Sequence, residues 1–188
     1  MRMRRIVLLT AAAVMLAGCG DRNLVLKVDV LSFTDPASRA ADFGPIPVFP
    51  GGFTTPEIPI VDDQRVNMLQ GVSDAVDISS VSVSLGALAI DYAGSGDATI
   101  RLYMSDVQTA PRTTAPALTL PVTLVPAQTD TLRAVLGDDP RVAALFAARQ
   151  MRMSVTVQIH GPLLGSSLSG RFEFTDIDAV VIARSKGF

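Results

Sequence analysis

The sequence predicts a mainly β protein, a β-sandwich of immunoglobulin-like type with about seven to nine strands and one helical insertion near 129–150. Three observations carry that expectation. First, apolar and polar residues alternate over Leu24 to Leu31, Val81 to Leu85, Ile100 to Met104, Leu118 to Leu124, Met151 to Ile159 and Leu168 to Phe174. This is the two-residue period of a half-buried strand. Second, Val, Ile, Thr, Ser and Gly are abundant, whereas the helix formers Glu, Lys and Gln are scarce. Third, sixteen of the eighteen acids are Asp, a turn and cap residue that is poor in strands.

The elements follow in order. Leu24, Leu26, Val28 and Val30 define the first strand. Asp35 to Pro59 holds six prolines and three glycines, which break ladders and helices alike, and reads as a long irregular loop. Its phenylalanines Phe43, Phe49 and Phe53 have two readings: plugs for one end of the core, or an apolar contact surface for a partner or lipid. Ile58 to Asp62 is a short edge strand, where Pro59 is tolerated. Val81, Val83 and Leu85 alternate with serines, and after Gly86 the apolar phase passes to Leu88, Ile90 and Tyr92, as at a β-bulge. Gly94-Ser95-Gly96-Asp97 predicts a turn, with Ile100, Leu102 and Met104 returning as the second arm of a hairpin. Leu118 to Leu124, bearing Pro121, is another edge. Thr129 to Gln150 predicts a helix in two pieces, the second capped by Asp138 or Asp139 with Pro140 in its first turn. Met151 to Ile159 is a strand; His160-Gly161-Pro162 and a Gly/Ser loop precede Leu168 to Phe174. Ile177 to Ile182 is apolar on both phases, as in a central strand.

At the N-terminus, Met1-Arg2-Met3-Arg4-Arg5 is cationic, and Ile6 to Leu16 is an apolar run of eleven residues. That is the plan of a secretory signal, too short to span a hydrocarbon layer of roughly 30 Å. The run ends in Leu16-Ala17-Gly18-Cys19, which resembles the lipobox of bacterial lipoproteins, with the chain's single cysteine in the required slot. The resemblance implies a cleaved signal at 1–18, a diacylglycerol thioether and acyl chains on Cys19, a short tether over 19–23 and one sandwich domain over 24–188. It implies a protein held to a membrane in the cell envelope. Gly20 stands in the position next to the cysteine, where Asp favours inner-membrane retention, so the outer membrane is favoured if the organism has one.

Beyond the signal, thirteen bases face eighteen acids, a net charge of −5. That balance argues against binding a nucleic-acid backbone. The lipobox cysteine leaves no thiol for a disulfide, so stability must come from an apolar core.

The sequence offers little catalytic chemistry. Gly94-Ser95-Gly96 lacks the third glycine of a dinucleotide fingerprint and leads into an alternating stretch. His160 is the only histidine, which excludes a three-histidine zinc site. No serine sits in a nucleophile elbow. Asp62-Asp63, Asp138-Asp139 and Asp176-x-Asp178 are candidate oxygen donors for calcium, without the spacing of a calcium loop. No catalytic, metal or cofactor site is assigned. The expectation is a non-catalytic, lipid-anchored binding or structural module with an envelope protein partner. A periplasmic carrier of an apolar ligand is the alternative, and an envelope hydrolase the third reading.

Overall fold

The computed structural model describes residues 23–47, 53–67, 76–124 and 130–185. Its strands are β1 (Asn23–Asp29), β2 (Ala40–Pro47), β3 (Ile58–Asn67), β4 (Val76–Ser105), β5 (Leu118–Leu124), β6 (Asp130–Leu136) and β7 (Gln150–Ser185), with one helix, α1 (Pro140–Ala147), before β7. β4 and β7 run antiparallel along almost their whole length and form the spine. The ribbon bends, and its two halves lie in two antiparallel layers of a β-sandwich. In the first layer the order is β3, the start of β7, the end of β4, then β5. In the second, β1 and β2 share one edge of the later part of β7, followed by the start of β4 and then β6.

The core lies where the predicted alternation puts it. Met151, Met153, Val155, Val157 and Ile159 of β7 are at most 1% exposed, as are Ala98, Ile100 and Leu102 of β4. Facing them from the second layer are Val81, Val83, Leu85, Ala87 and Ala89 of β4, and Ile177, Ala179, Val181 and Ala183 of β7. The central position of Ile177 to Ile182 agrees with the expectation, since β1 and β4 flank that stretch. Its second face is more open than expected, with Val180 39% exposed.

Five expectations need correction. Gly86 does sit at a register shift, but the inserted residue is on β7: Gly86 faces Asp176, while Ala87 faces Phe174. β4 therefore keeps its phase through Ala87 and Ala89, and the flip falls between Phe174 and Ile177. Gly86 is needed because a Cβ there would fall on the Asp176 carboxylate.

The Gly94 turn does not form. β4 continues through it, and Gly94, at φ +85°, lies so close to the Ser167 carbonyl that any side chain would collide. Glycine here allows a bent ribbon to pass its partner rather than reverse. The Gly/Ser loop after His160 is likewise absorbed into β7, paired through Ser95 and Leu164. The irregular stretch from Asp35 contains β2, which pairs with β7 across a register shift between Phe43 and Ile46.

Finally, the first predicted helical piece is β6. Leu132, Ala134 and Leu136 pack against the core, while Arg133 and Val135 are exposed. Leu132 and Leu136 suit either a helical or a strand period, and the open edge of β4 decided it by offering ladder partners from Val83 to Ala89. The second piece forms as predicted: the Asp139 carboxylate accepts from the Arg141 N–H at 2.8 Å, and Pro140 is in the first turn. Val142 and Phe146 point inward, and α1 packs against β4 and the neighbouring part of β7.

Candidate functional site

The outer face of the first layer carries a row of polar side chains that the core alternation forces outward. On β4 these are Asp97, Thr99, Arg101, Tyr103 and Ser105; on β7 they are Arg152, Ser154, Thr156, Gln158 and His160, in matching register. Residues 54–57 run beside this row before joining β3. The Thr55 N–H donates to the Ile159 carbonyl at 2.9 Å, and the Thr55 hydroxyl accepts from the Ile159 N–H at 3.0 Å. Gln158 Nε2 donates to the Thr55 carbonyl at 3.0 Å.

Glu57 pins this segment to the sheet. Its Oε1 accepts from Arg101 Nη1 at 2.8 Å, its Oε2 from the Thr156 hydroxyl at 2.9 Å, and both oxygens share the Tyr103 hydroxyl at 2.9 and 3.0 Å. Arg101 Nη1 also donates to Gln158 Oε1 at 2.9 Å. Tyr103 is 6% exposed, and burial together with the Glu57 carboxylate pushes its phenol above the ordinary value of 10.0. His160 ends the row, its Nε2 2.9 Å from the Thr99 hydroxyl and its Nδ1 3.4 Å from that of Thr54. With both carboxylate oxygens held by three donors, Glu57 is a clasp rather than a base poised for a substrate proton.

Toward the α1 end the row changes character. Arg152 forms a bidentate pair with Asp63, and that guanidinium holds the Asp63 carboxyl below its ordinary 3.8. Asp63 reaches it from the irregular part of β3, at φ +48°. Beyond this pair opens a cleft of about 450 Å³ lined by Arg65, Asn67, Val107, Gln108, Gln150 and Met151. Among the described residues, no hydrogen bond or ion pair engages the side chains of Arg65, Asn67, Gln108 or Gln150. The carboxylate of Asp106 nearby is turned into its own loop, accepting from the N–H groups of Gln108 at 2.8 Å and Thr109 at 2.9 Å.

The residues singled out from sequence fall elsewhere. Phe43 is 5% exposed and stacks on Phe172 with ring centroids 5.0 Å apart, so its ring belongs to the core. Phe53 is half-buried against the same core. Phe49, and Cys19 with its lipobox, lie outside the described residues. The acidic pairs meet cations: Asp63 with Arg152, Asp139 with Arg141, Asp178 with Lys27 at 2.7 Å, and Asp176 with Arg133 at 3.6 Å. Sequence reasoning missed Glu57, Arg65, Arg101 and Tyr103. A signal was present: the outward phases of β4 and β7 carry Arg, Tyr, Gln and His, long hydrogen-bonding side chains suited to a covering segment rather than to bare solvent.

No family model matches the chain, and no curated protein matches it. Among solved structures it is similar to capsid protein VP2 of infectious bursal disease virus. In virus-derived T=1 particles the identity is 10%, over 95% of this chain and 42% of that one, with a TM-score of 0.37. In the VP2 subviral particle it is 11%, over 93% and 43%, with a TM-score of 0.34. The chain thus spans less than half the length of those capsid proteins.

Proposed function

We propose that this chain is a lipid-anchored binding module of the bacterial cell envelope, without a reaction of its own. The observation that carries the proposal is the lipobox and its spacing: β1 begins at Asn23, four residues after Cys19. Four extended residues reach about 14 Å, so a domain anchored there is held against the bilayer surface. A diacylglycerol with a further acyl chain anchors stably, at about 0.8 kcal/mol per buried methylene.

The packing between the layers favours binding at the surface over carriage of an apolar ligand within. Leu85, Ile100, Leu102, Met153, Phe146 and Phe172 fill that space with fully buried side chains. At the polar row the hydrolase reading finds little support, since the Glu57 carboxylate is held by three donors.

The test is mass spectrometry of the mature N-terminus combined with membrane fractionation of wild type and Cys19→Ala. A diacylglyceryl-modified Cys19 peptide, and release of the variant from membranes, are expected. An unmodified N-terminus on a soluble protein overturns the anchoring.

A further inference from the structure

The polar row on the first layer divides into two halves of opposite character. Under residues 54–57 the side chains of Thr99, Arg101, Tyr103, Thr156, Gln158 and His160 all bond within the protein. Toward α1, a guanidinium and three carboxamides surround one cleft and bond to nothing among the described residues. The carboxylates that would normally neutralise Arg65 have other partners. Asp63 lies near enough for Arg65 to act on its charge, but its oxygens are held by Arg152. Asp106 is folded back on its own loop.

We propose that this cleft binds a short peptide through its free carboxylate, Arg65 taking the carboxylate and Asn67, Gln108 and Gln150 the adjacent amide groups. A guanidinium presents a planar fork of donors that matches a carboxylate with two parallel bonds. Carboxamides carry both a donor and an acceptor edge, which is what a peptide group requires of a partner. Val107 supplies the limited apolar surface beside them, enough for a small side chain such as alanine. The cleft sits on rigid elements: Arg65 and Asn67 project from the same face of β3, and Gln150 is the ladder partner of Asn67. This inference names a ligand class for the binding module proposed above, and rests on that reading only in supposing that the module binds something. It does not depend on the lipid.

The experiment is isothermal titration of the full mature chain in detergent with N-acetyl-dialanine, its C-terminal amide, and inorganic phosphate. The free acid is expected to bind, and the amide and phosphate to bind at least about ten-fold more weakly. Arg65→Ala should lower affinity for the acid by about ten-fold or more, with Arg65→Lys intermediate because it keeps the charge but loses the fork. Gln108→Ala, on the opposite wall, should weaken the acid and the amide alike. Equal binding of acid and amide, tighter binding of phosphate, or no binding of the acid at about 10 mM overturns the proposal. An unchanged affinity in Arg65→Ala, with unfolding the same as wild type, overturns it as well. Failure here leaves the lipidated Cys19 peptide unaffected, so the two proposals are separable.

Discussion

Removing the Glu57 clasp should be among the most damaging polar substitutions in this protein. The carboxylate is 28% exposed and its Arg101 partner 22%, so water screens the pair only partly. Tyr103 is 6% exposed and Thr156 is 0%. Glu57→Ala therefore orphans two buried hydroxyls, at about 1–3 kcal/mol each, and leaves Arg101 without its counter-charge. Water entering from the open side of Glu57 offsets part of this, giving an expected loss of about 2–4 kcal/mol. Glu57→Gln keeps an acceptor for Arg101 and Tyr103 and gives Thr156 an amide partner, so about 1–2 kcal/mol is expected. The assay is equilibrium urea unfolding followed by far-ultraviolet circular dichroism, because the chain has no tryptophan. Midpoints should shift at constant m, since the surface exposed on unfolding hardly changes. A double-mutant cycle with Tyr103→Phe should return a coupling of about 1–2 kcal/mol. A loss below about 0.5 kcal/mol for Glu57→Ala, or an additive cycle, would refute the reasoning and reduce the cluster to surface decoration.

Three further outcomes are expected. Gly86→Ala should destabilise by more than about 1 kcal/mol, because its Cβ meets the Asp176 carboxylate; placed in an Asp176→Ser background, the same change should cost markedly less in urea unfolding. Asp139→Ala should cost about 1 kcal/mol by removing the N-cap of α1, with Asp139→Ser recovering most of it in thermal unfolding. The third concerns alkali. The folded Tyr103 phenol holds its proton above the ordinary 10.0, so the unfolded chain loses that proton first and stability falls as pH rises from there toward the folded value. Absorbance at the phenolate band should show one of the two tyrosines titrating late, and Tyr103→Phe should flatten the alkaline limb of the stability profile.

Much of the fold was legible because a strand's alternation is a local property. Met151 to Ile159 and Leu24 to Val28 face the core as their spacing requires, and Pro121 and Pro59 sit on edge strands where a missing donor is tolerated. The α1 cap was equally local, an aspartate and a proline read directly as a helix start. What a short window cannot contain is which partner a segment finds. Leu132 and Leu136 fit a helix as well as a strand, and the unpaired edge of β4 selected the strand. Gly94 permits a turn or a bend, and the passing backbone of Ser167 selected the bend.

The polar row obeyed the same division. Its residues were recognisable as an outward phase, but the clasp joins Glu57 to Arg101 and Thr156, 44 and 99 positions away. The cleft gathers β3, the loop after β4 and the start of β7. The sequence by itself determined the layered β architecture and the position of α1, since each rests on spacing within a few residues. Only the tertiary structure decided which polar groups satisfy one another and which are left facing a cleft, because hydrogen-bond partners here are set by the register of two long strands.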